Sequence, residues 1–316
     1  MNAIPKKICT VQIDVDGLWV IFQHFGIDYK QNNDILYESA LPRFLDLYEA
    51  YNIKATLFVV GKDLLSNRKV DLLKRAIQKG HEIANHSMNH TEGFSYLSFQ
   101  KKQREIIDAE LIIQDKLGVL PKGFRTPSND VDNDVLRILE ERNYLYDSSL
   151  LPTFYGHLFK KFKLSSLKIG RKDHYLGRPI YGFAPLLPYR PSYDSLWKKG
   201  NMKLVEVPIS TMPILRLPFH MSFNLAMHHF GFGCALFNIG FNLFNASTLP
   251  LNFVFHTNEL SDPINLEKIK RQYGLGLPLN VKLNICERIL GMITNNFQAV
   301  TTAEYVRLLD AQGKIK

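Results

Sequence analysis

The sequence predicts an α/β fold in which a mostly parallel sheet curls toward a barrel with helices packed outside it. Two observations carry this expectation. Strand-like and helix-like segments alternate along most of the 316 residues, and the units are numerous enough for the sheet to close on itself. With 46% hydrophobic residues the chain has material for a sizeable core, which excludes a disordered protein.

Taken in order, "ICTVQIDVD" near the N-terminus alternates apolar and polar residues as a strand does, and "IKATLFVVG" is a buried-strand run. "VDLLKRAIQKG" has helical spacing and stops at Gly80. A helix is expected at 99–117, a strand around "KGFRTPS", a helix over "DNDVLRILEERN" and a strand at "YLYDSS". The alternation resumes with "KLVEVPIS", "LNFVFH", a helix near 280–293, the strand "FQAV" and a closing helix that starts with the capping pattern Thr301-x-x-Glu304. Two stretches interrupt it. Residues 153–200 form a basic, aromatic insertion that includes Lys160, Lys161, Lys163, Lys168, Arg171, Lys172 and Arg178 around Asp173. Residues 214–246 carry phenylalanines at 219, 223, 230, 237, 241 and 244, gaps that fit one face of a helix. That helix either lies in a membrane interface or covers the barrel as core, because its histidines and asparagines make a bilayer span costly. The whole chain, 1–316, reads as a single catalytic domain.

Three widely spaced cysteines, Cys9, Cys234 and Cys286, form no C-x-x-C pair and read as idle thiols in a reducing compartment. The N-terminal stretch lacks the apolar core of an export signal, so a cytoplasmic location is expected. A net charge of +9 favours an anionic partner. No helix-turn-helix, zinc-finger or RNP-type pattern supports nucleic acid as that partner.

Chemistry gathers at strand ends. In an extended chain Gln12, Asp14 and Asp16 share one face, and two like charges so close need a cation or a proton between their roles. The same "DVDG" also reads as a solvated turn. In "HEIANHSMNH", His86 and His90 have the i,i+4 spacing that brings two imidazoles onto one metal if the segment turns helically. An H-x-x-x-H is also often incidental. Arg125 in "GFRTPS" is either a fixed fork for a carboxylate or a surface arginine. His256, ending "LNFVFH", is either structural or a proton carrier at the end of the sheet where barrel enzymes keep their chemistry.

Taken together and in order, "IDVDG", "HSMNH", "GFRTPS", "YDSS" and "FVFH" resemble the successive motifs of the polysaccharide deacetylases, the NodB-homology or carbohydrate esterase family 4 domain. The resemblance covers about residues 7–150 and 203–310. It implies a deformed (β/α) barrel with a divalent metal, zinc first and cobalt, nickel, manganese or iron as substitutes, bound by Asp16, His86 and His90. Asp14 would then be the catalytic base, His256 the general acid and Arg125 the residue that orients Asp14. Val15 separates the two aspartates where the common pattern has them adjacent, which resembles a D-x-D subgroup that includes deacetylases and deformylases of lipid-linked sugars. Glu259 and Glu206 are both candidates for the carboxylate that steadies His256, and Asp147 reads as structural or substrate-facing.

"PYRPSYDSLWKKGNMKLVEVPIS" followed by "LRLPFH" is similar to members that act on such lipid-linked aminosugars. The resemblance therefore implies removal of an N-acetyl group from a polyisoprenyl (undecaprenyl) phosphate-linked N-acetylhexosamine at an anionic inner membrane face, supplying aminosugar for an envelope glycolipid such as lipid A. Other readings are a deacetylase of soluble or polymeric glycans such as peptidoglycan, a cyclic-amide hydrolase, and a sugar- or lipid-binding protein with an inactive site.

Overall fold

The computed structural model describes residues 6–29, 33–156, 178–264 and 276–315. Its centre is a curled, all-parallel sheet of eight strands: β1 (Lys7–Val15), β2 (Thr56–Val59), β3 (Glu82–Asn85), β4 (Gly123–Phe124), β5 (Tyr146–Asp147), β6 (Val205–Glu206), β7 (Leu251–His256) and β8 (Phe297–Val300). The order is β6-β5-β4-β3-β2-β1-β7, and β8 pairs with the first residues of β1 on the edge that β2 takes further along. Parallel strands need crossovers, and the helices α1 (Leu18–His24), α2 (Leu41–Ala50), α3 (Asn67–Gln78), α4 (Phe99–Leu117), α5 (Asn133–Glu141), α6 (Met221–His229), α7 (Gly233–Ala246), α8 (Leu279–Asn296) and α9 (Thr302–Ala311) supply them.

No ladder joins β6 to β7 among the described residues; the seam is closed by Asn252. Its amide donates to the carbonyls of Val207 (3.3 Å) and Pro208 (3.0 Å), and its carbonyl oxygen accepts from Thr10 Oγ1 at 2.7 Å. The Ser210 N–H also donates to the Asn252 backbone carbonyl at 3.2 Å and Ser210 Oγ accepts the Asn252 N–H at 2.8 Å, so the ring closes at this one residue where strand pairing stops.

Both faces of β1 are buried. Val11, Ile13 and Val15 point to the helices and join the main core with Leu57, Phe44, Tyr48, Phe253 and Phe255, whereas Gln12 and Asp14 point into the barrel. The expected helical phenylalanine stripe is two helices, α6 and α7, because the chain turns at Gly231 with φ +80°. Its phenylalanines are mainly core. Phe219 stacks on Phe237 (5.0 Å between centroids) and meets Phe244 and Phe253, and Phe241 meets Phe297. Gly240 lets Phe219 lie close, since a Cβ there would sit 2.5 Å from its ring. Phe219, Phe237, Phe241 and Phe244 are therefore spent on packing α7 against the sheet, while Phe230 and Phe232 are exposed. Among the described residues no helix is long and apolar enough to cross a membrane. Of the expected insertion, Lys160, Lys161, Lys163, Lys168, Arg171, Lys172 and Asp173 lie outside the described residues.

Candidate active site

Because every strand is parallel, all C-terminal ends meet at one end of the barrel, and this is where the chemical residues gather. Asp14 is in register with His256 across β1 and β7. Asp16 follows β1, His86 follows β3 directly and Arg125 follows β4 directly. The structure brings all six residues singled out in the sequence, Asp14, Asp16, His86, His90, Arg125 and His256, to this one end.

Arg125 is fully buried and spends its guanidinium on fixed partners. Nη1 donates to Asp14 Oδ1 at 2.6 Å, Nε to the Ser148 carbonyl at 2.7 Å, and Nη2 to Ser148 Oγ at 3.1 Å and to Gln12 Oε1. Its plane lies over Phe58 at 4.2 Å. The surface-arginine alternative is thus excluded. Burial alone would raise the Asp14 pKa, but the Arg125 charge, with His86 and His256 behind it, outweighs this and holds the carboxyl at about 2. Asp14 is accordingly ionised at any working pH.

His86 and His90 meet without a helix. Ser87 and His90 adopt φ of 65° and 47°, so the loop coils in the left-handed region. Ser87 Oγ accepts the His90 N–H at 3.1 Å. Glu105 of α4 latches the turn by accepting from the Asn89 backbone (2.8 Å) and from Thr91 Oγ1 (3.1 Å). The two imidazole centroids are 5.1 Å apart. The Nδ1–H of His86 donates to the Arg125 carbonyl at 2.8 Å, a tautomer that leaves the Nε2 lone pair free. That Nε2 lies 3.7 Å from Asp16 Oδ1, and His90 Nε2 lies 3.5 Å from the same oxygen. Asp16 Oδ1 is buried and has no hydrogen-bond donor. Burial raises the Asp16 pKa, lowers that of His86 and pushes that of His90 down to about 4, so both imidazoles are neutral near pH 7. Two neutral nitrogens and an orphaned carboxylate oxygen, all within 4.8 Å of one another, fit a divalent cation.

Across the barrel mouth, His256 Nε2 is 3.5 Å from Asp14 Oδ2. Its Nδ1 is 3.2 Å from Glu259 Oε1 and 3.1 Å from Ser222 Oγ, while Ser222 also donates to Glu259. Glu259 Oε2 accepts the His256 backbone N–H at 2.8 Å, the acidic half of a capping box. Burial works against an imidazolium here, but the Glu259 hydrogen bond and charge, helped by Asp14, raise the pKa to about 9. Of the two carboxylates considered, Glu259 is therefore the one beside His256. Glu206 is paired instead with Asp147, its register neighbour on β5; both are fully buried, and each carries an otherwise orphaned oxygen. Burial raises the pKa of both, Asp147 raises that of Glu206 further while the Glu206 hydrogen bond lowers that of Asp147, and neither reaches His256. His81, the first histidine of the quoted stretch, lies outside the site and accepts the Ala55 N–H at 3.1 Å.

The residues that sequence reasoning did not single out are Ser222, Ser148 and Glu105. Glu105 and Ser148 act through contacts distant in sequence, and Ser222 has no local signature. Only His256-x-x-Glu259, a capping-box spacing, carries a signal that can be read in advance.

Residues 31–146 match the family model described as polysaccharide deacetylase. The chain is 33% identical over 103 residues to a peptidoglycan-N-acetylglucosamine deacetylase of Bacillus cereus, covering 33% of this chain and 46% of that protein. It is 31% identical over 97 residues to the corresponding enzyme of Listeria monocytogenes, covering 31% of this chain and 20% of that one. The chain thus spans less than half the length of these curated relatives. A crystal structure of a Mycobacterium smegmatis protein assigned to the polysaccharide deacetylases superposes over 100% of this chain and 94% of that one, with a TM-score of 0.57 at 16% identity. That likeness speaks for the fold. His86, His90 and Arg125 lie inside the span matched by the family model, whereas Asp14, Asp16 and His256 lie outside it and join the site through the fold. Residues 31–146 are thus similar to the polysaccharide deacetylases, and the chain as a whole shares the fold of the Mycobacterium smegmatis protein.

Proposed function

We propose that the chain is a metal-dependent amide hydrolase that removes the N-acetyl group from an N-acetylated sugar. The observation that carries this reading is the placement of Asp14 between two sets of partners, with the Asp16, His86 and His90 cluster on one side and the His256–Glu259 pair on the other. A divalent ion held by Asp16, His86 and His90 supplies Lewis acidity toward the acyl carbonyl and lowers the pKa of water in the site. Asp14 takes a proton from water as its oxygen bonds to the acyl carbon. His256, protonated through Glu259, delivers a proton to the sugar nitrogen as the C–N bond breaks. Acetate and a free amine leave. Arg125 keeps Asp14 ionised and aimed, and Ser222 holds the imidazole edge.

Two substrates divide the finer reading. The similarity of the segment through "LRLPFH" to D-x-D members favours a polyisoprenyl phosphate-linked N-acetylhexosamine at an anionic membrane face, with the aminosugar passing to a glycolipid such as lipid A. An exposed apolar hairpin in the chain that follows β6 supports this choice. Thr211 and Pro218 bridge a hairpin whose tip exposes Ile214 (86%) and Leu215, and Arg216 ties it to the Ala184 carbonyl beside exposed Phe183. The names of the relatives favour peptidoglycan or another glycan. The separating experiment is mass spectrometry of both substrate types after incubation with metal-loaded enzyme. Loss of one acetyl from the lipid-linked sugar alone supports the first reading. Loss from peptidoglycan fragments alone overturns it in favour of the second.

A further inference from the structure

His220 belongs to the "LRLPFH" stretch and has no part in the chemistry above. It is the N-cap of α6, where its Nδ1 accepts the Phe223 N–H at 3.4 Å. An Nδ1 that accepts has no proton, so the proton of the neutral ring sits on Nε2. Burial, with the charges of His256 and Arg125 nearby, pushes its pKa down to about 3, so the ring stays neutral wherever the enzyme works. The Nε2 atom has no partner among the described residues, and it is not one of the polar atoms sealed from solvent. The His220 and His256 rings stand edge to face with centroids 6.5 Å apart. A neutral donor with a fixed tautomer therefore stands unspent beside the proposed proton donor.

We propose that His220 is a substrate-contacting residue whose Nε2–H donates to a sugar oxygen adjacent to the N-acylated carbon. The proposal rests on the deacetylase reading, because the departing nitrogen sits at His256. On an N-acylated aminosugar the carbons beside the amine-bearing one carry oxygens, and two imidazoles 6.5 Å apart are spaced to hold such a neighbouring nitrogen and oxygen together. The ligand class is thus an aminosugar with an oxygen vicinal to the amide, in preference to a simple N-alkyl acetamide. Since α6 begins at His220, the same ring couples the start of the helix to the sugar.

Two substitutions separate the capping role from the donor role. In His220→Asn the side-chain oxygen replaces Nδ1 and keeps the cap but removes the Nε2 donor. In His220→Gln the amide nitrogen replaces Nε2 and keeps the donor while the cap is lost. With metal-loaded full chain and N-acetylglucosamine oligosaccharides, His220→Asn should raise KM roughly tenfold at nearly constant kcat, the scale of one neutral hydrogen bond, with Tm unchanged. His220→Gln should lower Tm and keep KM near wild type. Wild-type KM in His220→Asn would overturn the proposal and leave His220 a cap only. Should wild type release no acetate, the deacetylase reading fails by itself, and ¹⁵N NMR of the His220 ring during titration with the same oligosaccharide in Asp14→Asn decides. A shift of the Nε2–H signal upholds the donor, and an unmoved signal overturns it.

Discussion

Asp14 and His256 face each other at 3.5 Å with opposite electrostatic environments, one carboxyl held near 2 by Arg125 and one imidazole held near 9 by Glu259. Separated pKa values in adjacent groups suit the proposed roles of Asp14 as base and His256 as acid. The sign of the pH dependence follows from the acid. His256 is protonated below about 9, so kcat/KM should fall as pH rises through that value. In Glu259→Gln the partner that opposes desolvation is lost, and the alkaline limb should move to lower pH, with a pH–rate profile as the measurement. An alkaline limb that stays in place would remove Glu259 from this role. At this scale the residue types were legible in the sequence but their geometry was not. His90 takes φ 47° only because Ser87 and Glu105 hold the turn, and Glu105 is fifteen residues further along the chain. The choice between Glu206 and Glu259 was half legible, because the His256-x-x-Glu259 spacing stands in the sequence but the pairing of Glu206 with Asp147 across the sheet does not.

Among the elements, β1, β7 and β8 are legible because apolar and polar residues alternate or run unbroken over several positions, as in Leu251–His256. By contrast β4, β5 and β6 are two residues each, too short for periodicity, and their place is set by neighbours in the sheet. The phenylalanine spacing between 219 and 244 was read as one helical face. A stripe at that spacing has the same pattern whether it faces lipid or a sheet, and the contact of Phe237 with Phe219 and Phe253 decides for the sheet. Phe237→Ala should therefore cost about 3–5 kcal/mol in urea unfolding, the range for a buried aromatic. A loss below about 1 kcal/mol would place the ring at the surface instead.

Over the whole molecule, parallel strands bring the candidate site to one end of the barrel, and the chain that follows β6 carries an exposed apolar hairpin tip at Ile214 and Leu215. With a net charge of +9 over the whole chain, attraction to an anionic surface is expected, and the exposed hairpin tip is the part proposed to enter it. The double variant Ile214→Asp, Leu215→Asp should lose co-sedimentation with anionic vesicles while keeping Tm, because both side chains are exposed. Equal sedimentation of variant and wild type would separate the hairpin from membranes. The barrel itself was legible from the alternation of elements; its closure was not, since the β6–β7 seam is held by the side chain of Asn252 and its backbone contacts with Ser210 rather than by a ladder.

The central claim is that this barrel end hydrolyses the N-acetyl amide of a sugar, and acetate release tests it most directly. Metal-loaded wild type should release acetate from N-acetylated sugars. Asp14→Asn, with unchanged metal content and Tm, should lose about 10²–10⁴-fold in rate. An Asp14→Asn rate equal to wild type, or no acetate from wild type on any N-acetylated sugar with metal bound, would contradict the account.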